Sequence, residues 1–164
     1  MGYGSIMGRV VFIFILAAFI AAAGYDLLPP TNLKAAEPFE QDVADILTGD
    51  GKRHRFRVEI VSTPQDRAQG LQGRKRLDPD AGMLFDLGVS LPVHMWMKNT
   101  FVALDMIFIA ADGRIVTIAR ATTPESLAII ESAGPVRAVL EVPAGTAARL
   151  GVRPGDRVEH RIFQ

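Results

Sequence analysis

The stretch His94–Ala119, HMWMKNTFVALDMIFIAADGRIVTIA, decides the fold. Leu104 to Ala110 is an apolar run of strand length, Asp112-Gly113 is a turn signal, and Ile115 to Ala119 is a second short strand, so the segment reads as a β-hairpin. Side chains alternate across a strand, which puts Leu104, Met106 and Phe108 on one face and Asp105, Ile107 and Ile109 on the other. Asp105 therefore sits among apolar neighbours, where a carboxylate needs a partner. Lys98 is one candidate, reached through a turn at Asn99-Thr100. Backbone amides and the Asn99 side chain are the others. The only tryptophan, Trp96, stands just ahead of this polar cluster.

Working toward the N-terminus, the residues before the stretch suit further short elements. Gly82 introduces a short apolar strand, AGMLFDL, and Pro92 breaks the chain after it. Thr63-Pro64-Gln65-Asp66 has the form of a helix start, with Thr63 as cap and Pro64 in the first turn. It opens a short helix to about Leu71, which Gly73 ends. The basic run Arg74, Lys75, Arg76 follows, read either as a solvated loop or as an anion site beside the glycines. FRVEIV alternates as a half-buried strand. Asp50-Gly51 predicts a two-residue type I′ turn back to a first strand over VADILT.

Toward the C-terminus, Thr123-Pro124-Glu125 opens a short helix or irregular loop to about Glu131. AVLEV is a strand carrying Glu141 in an apolar context. A brief helix spans Thr146 to Leu150 with Gly151 at its end, and RVEHRIF is the last strand. Short strands separated by Gly and Pro indicate a mainly β domain, an antiparallel sandwich or barrel-like fold with two or three short helices.

Val10 to Ala23, VVFIFILAAFIAAA, follows Arg9 and holds no charged or polar side chain. Its length, about 14 residues, suits the apolar core of a signal peptide better than a spanning helix of roughly 20. Ala21-Ala22-Ala23 before Gly24 fits a cleavage site, and an uncleaved anchor is the alternative. We expect residues 1–23 to export the protein to the periplasm or beyond, 24–38 to form a linker, and 39–164 to form one domain. Contact with the membrane is expected only through an uncleaved N-terminal segment.

Composition excludes several classes of function. With 18 basic and 18 acidic residues the net charge is +0, which predicts no footprint for nucleic acid and no polybasic membrane patch. The absence of cysteine rules out a disulfide framework and a thiol nucleophile. His54, His94 and His160 lack metal-ligand spacing, and His54 and His160 are expected to be exposed. No metal and no cofactor is expected, and there is no serine elbow or phosphate-cradling loop.

The ordered run of WMKNT, Leu104-Asp105, MIFI and the Asp112-Gly113 turn resembles the domain-of-unknown-function family numbered 192. T-P-x-x-R-A-x-G-L from Thr63 to Leu71, GMLF from Gly82 to Phe85, VLE from Val139 to Glu141, Ala144-Gly145 and Pro154-Gly155-Asp156 agree in order, so the likeness spans Leu47 to Val158. Two positions depart from the pattern: Gln72 stands where the family usually has Met, and Ala103 where it has Pro. The resemblance implies a mostly β domain, often exported in bacteria, with no established activity and no catalytic residues to carry over.

The candidate site is therefore drawn from chemistry: Trp96, Lys98, Asn99, Asp105 and Glu141. As a pocket, Trp96 would give an apolar platform and Lys98, Asp105 and Glu141 a polar floor suited to a sugar or another small polar ligand. As a staple, the same residues would bond backbone and hold a turn on a sheet. Three functions follow: a binding or accessory module, a structural or interaction domain for an envelope protein, or a hydrolase of envelope carbohydrate with Asp105 and Glu141 as an acid–base pair.

Overall fold

The computed structural model describes residues 38–164, so the expected export segment and nearly all of the linker lie outside the described residues. The elements in chain order are β1 (Glu40–Leu47), β2 (Arg53–Val61), α1 (Pro64–Gln69), β3 (Ala81–Leu91), β4 (His94–Met95), β5 (Leu104–Ile109), β6 (Ile115–Ala119), β7 (Ile130–Glu131), β8 (Val136–Pro143), α2 (Thr146–Leu150) and β9 (Arg157–Glu159). Seven strands form one sheet in the order β6-β5-β8-β3-β2-β1-β9, and β4 and β7 form a separate ribbon.

The large sheet curls until its two edges meet. Arg114 and Arg157 form a bridge, Ile115 N–H donates to Asp156 O at 2.7 Å, and Val158 N–H donates to Gly113 O at 2.7 Å. Pairing the edges this way gives the nearly closed barrel that the short-strand pattern suggested, and it removes the exposed edges of an open sheet.

The first hairpin turns differently from its two-residue expectation, and the second has the same form. At the first, Thr48 N–H donates to Lys52 O, and at the second Ala110 N–H donates to Arg114 O, so three residues lie inside each loop. Only the glycines, Gly51 (φ +81°) and Gly113 (φ +82°), take the left-handed conformation. Asp50 and Asp112 do not, so type I′ is corrected to the three-residue loop that ends on a left-handed glycine. The pairing of β2 with β3 is parallel, Arg57 opposite Ala81 through Val61 opposite Phe85, where an all-antiparallel sheet was expected. The cause lies in the connection: α1 and the loop to Asp80 carry the chain back before β3 begins, as a parallel crossover requires.

Thr123 to Glu131 is irregular and ends in β7. The last strand stops at Glu159, because His160 is buried rather than exposed. Its Nδ1 accepts from Ile162 N–H, and its Nε2 lies 3.0 Å from Asp42 Oδ2, which turns Arg161–Phe163 into a 3₁₀ turn. His54 is half-buried, and its Nε2 has no partner among the described residues.

Every residue of β5 is buried, because both faces of the sheet are covered. Ile107, Ile109, Leu84, Leu140 and Phe56 belong to one apolar cluster. Leu104, Met106, Phe108, Phe85 and Val139 belong to a second, over which residues 93–102 fold. Gly113 is where the barrel closes: a Cβ there would lie 2.5 Å from Val158 O. Gly113→Ala is therefore expected to lower the unfolding free energy by more than about 2 kcal/mol, from left-handed strain and the clash together. Urea unfolding measures it, and a near-neutral result would show that the closure tolerates separation.

Candidate functional site

The site is built from four segments that the sequence separates widely. Thr63 caps α1 as expected, its Oγ1 accepting from Asp66 N–H at 3.1 Å, and Pro64 opens the helix. The helix ends on Gly70, where a Cβ would come within 3.1 Å of the Phe85 ring, so α1 lies close on β3. Leu71 is then buried beside Phe85 in the second cluster. The WMKNT turn is fastened to this same loop. Asn99 is left-handed (φ +54°), its Nδ2 donates to Gln72 Oε1 at 3.1 Å, and its carbonyl accepts from Gly73 N–H at 2.9 Å. Gln72 thus has a bonding role, which explains a polar side chain at a position where the family pattern has Met.

Between these segments lies a cleft of about 260 Å³, walled by Leu71, Phe85, Leu87, Val93 and Met95. Trp96 and Lys98 stand at its mouth, and Glu141 reaches it from β8. Trp96 is 50% exposed, so it is rim rather than core filler. Glu141 is 4% exposed, makes no hydrogen bond or ion pair among the described residues, and is pushed up to about 8 by burial.

Asp105 occupies a different place. Its two carboxyl oxygens accept from backbone N–H groups, Ala121 and Ala147, each at 2.8 Å. Ala147 lies in the first turn of α2, whose own N-cap, Gly145, offers no side chain, so Asp105 caps that helix from across the sheet. Lys98 is not its partner. The register also separates the two acids: Glu141 stands opposite Met83 and Met106, whereas Asp105 stands opposite Val142. They project from opposite faces of one sheet, and an acid–base pair astride one bond is not available to them.

Of the five candidate residues, Trp96, Lys98 and Glu141 meet at the cleft, Asn99 braces it from outside, and Asp105 is the backbone staple. The basic run divides similarly. Arg74 pairs with Glu59, while Lys75 and Arg76 are exposed. His94 is exposed at the cleft, with Nε2 3.6 Å from Glu131 Oε1. Sequence reasoning missed the apolar walls, Leu71 and Phe85. Their signal was present in the G-L pair after α1 and in the GMLF strand.

The profile of domain-of-unknown-function family 192, described as "Uncharacterized ACR", matches residues 45–160. The chain belongs to this family. Among solved structures, one from Sinorhizobium meliloti 1021, described provisionally as a transcription regulator, is 49% identical with a TM-score of 0.75. The match covers 76% of this chain and 97% of that one. A protein of unknown function from Novosphingobium aromaticivorans DSM 12444 is 36% identical with a TM-score of 0.71, covering 80% of this chain and 99% of that one. No curated protein matches.

Two expectations follow from this geometry. Asp105→Asn keeps the shape but leaves a single oxygen for two buried N–H donors, so it should cost more than about 2 kcal/mol in urea unfolding. Lys98→Met, at the solvent-facing mouth, should stay within about 0.5 kcal/mol. The reverse order of effects would sink the staple. The second expectation concerns Glu141. Its folded value, about 8, lies above the ordinary 4.5, so folding favours the protonated acid. Its contribution is full below pH 4.5 and is lost as pH rises from there through 8. Glu141→Gln should therefore flatten the stability–pH curve across that interval, and unfolding midpoints measured at several pH values would show an unchanged slope if the burial argument is wrong.

Proposed function

We infer that this domain is an extracytoplasmic binding module that takes a small ligand with an apolar body and a hydrogen-bonding end. One observation carries the reading: the Glu141 carboxyl, almost wholly removed from solvent and without a hydrogen bond among the described residues, faces a cleft lined by Leu71, Phe85, Leu87, Val93 and Met95, with Arg67, Gln69, Gln72, His94, Lys98 and Thr100 as its other polar side chains. A carboxyl so nearly buried gains from a hydrogen-bond partner, and the cleft lets one reach it from outside the chain. Held near 8, Glu141 is a neutral acid at neutral pH and offers both a donor and an acceptor. This shifts the expected ligand from a sugar toward a molecule with an apolar body, because Leu71, Phe85, Leu87, Val93 and Met95 offer it apolar surface. Export rests on the uncharged block Val10 to Ala23.

Gene regulation, as described for the Sinorhizobium meliloti relative, finds little support in this chain. Charges balance at 18 against 18, and the two described helices have six and five residues, too short to lie along a DNA groove as a recognition helix.

Benzamide, benzoate and benzylamine share one ring and differ in their polar end, so they separate the chemistries the floor accepts. We expect benzamide to perturb Trp96 emission, with binding weakening as pH passes 8, where Glu141 ionises. Glu141→Leu should weaken that binding about tenfold, the loss of one buried hydrogen bond. Silence from all three probes, or equal binding by the leucine variant, removes the reading.

A further inference from the structure

Large apolar side chains are exposed on the segment that carries Trp96, which lines the cleft, and on the segment paired with it. Trp96 is 50% exposed, Phe101 47%, Leu127 70% and Ile129 53%. They adjoin one another through backbone pairing. β4 and β7 set Met95 opposite Ile130, Met97 N–H donates to Ser126 O at 3.0 Å, and Glu125 N–H donates to Thr100 O at 3.0 Å. Trp96 therefore runs beside Leu127 and Ile129, with Phe101 next along the chain. Scattered exposed apolar residues are ordinary, but a group on adjoining segments marks a contact surface.

Two further observations say what the contact is with. Lys75, Arg76 and Lys98 are exposed and have no acidic partner among the described residues, and the Gly73–Asn99 hydrogen bond holds their two loops together. The acidic groups on the same segments are Asp78 and Asp80, both paired with Arg57, and Glu125 and Glu131, the latter beside His94. An apolar, aromatic rim with a cationic fringe complements the boundary between acyl chains and anionic headgroups.

We propose that the rim formed by Trp96, Phe101, Leu127 and Ile129 seats the domain on an anionic lipid bilayer, with the cleft mouth turned toward the lipid. The contact is made by the folded domain, in addition to whatever the N-terminal segment does, and it does not depend on a ligand in the cleft.

Trp96 is the only tryptophan, so its emission reports the rim alone in the full-length chain. The protein is mixed with vesicles of phosphatidylcholine and phosphatidylglycerol whose acyl chains carry bromine. Trp96 emission should shift to the blue and fall by about half, since a ring at the interface lies within reach of the upper acyl chain. Leu127→Asp with Ile129→Asp should abolish the quenching even where the protein remains on the vesicles through its N-terminal segment. Lys75→Ala with Arg76→Ala should weaken it and make what remains less salt-sensitive. Unquenched Trp96 in the wild type overturns the proposal. So does quenching that survives the double aspartate substitution, and so does a dimer that shields Trp96 from the bromines.

Discussion

Two backbone N–H groups, Ala121 and Ala147, converge on the buried carboxyl of Asp105, and much of the domain hangs on that convergence. One bond fixes the chain as it leaves β6. The other supplies the cap that Gly145 lacks and so positions α2, whose Ala147, with Val152 just beyond its end, belongs to the first apolar cluster. The consequences reach the cleft. Next to Ala121, Thr122 exchanges hydrogen bonds with Leu104, and its hydroxyl lies 3.2 Å from Met97 Sδ. Met97 separates Trp96 from Lys98. A residue outside the cleft lining is thereby linked by hydrogen bonds to the segment that carries Trp96 and Lys98.

The same sheet shows what becomes of a buried acid without such partners. Glu141 lies one strand away and faces the other side. It makes no hydrogen bond among the described residues, and burial raises it to about 8. The contrast between the two acids is one of supplied hydrogen bonds, since both are almost wholly removed from solvent. Asp105 is satisfied within the chain and Glu141 is not. That difference turns two residues which look alike in sequence into a structural bond and a site.

Local features of the fold were legible because they depend on neighbours in sequence. The cap at Thr63, the alternation in β2 and β5, the glycine-ended hairpins and the brief α2 all follow from a few adjacent residues. Asp105 also announced that it required partners. Their identity was hidden, since Ala147 lies 42 residues downstream and only the barrel brings it back. Lys98, nearer in sequence, was the natural guess, yet the left-handed Asn99 and its bonds to Gln72 and Gly73 hold that turn against the loop after α1. The parallel β2–β3 pair was hidden for a similar reason: a helix between two strands permits a crossover without demanding one. His160 looked exposed because it stands between charged residues, but its partner, Asp42, lies in β1.

The floor and the rim of the cleft are also consistent with each other in a way that neither shows alone. An ionised carboxylate at the bottom of an apolar cleft needs water or a counter-ion, and a mouth turned toward lipid would restrict access to both. A neutral acid has no such requirement. It needs only one acceptor or donor, which the polar end of a small amphiphile can supply while its body lies against Leu71 and Phe85. Lys98, at the mouth, stands where an anionic headgroup or the water layer would meet it, and its stem covers apolar surface on the way. The burial that raises Glu141 and the exposure that leaves Trp96 half uncovered thus select the same kind of surroundings, apolar inside and charged at the edge.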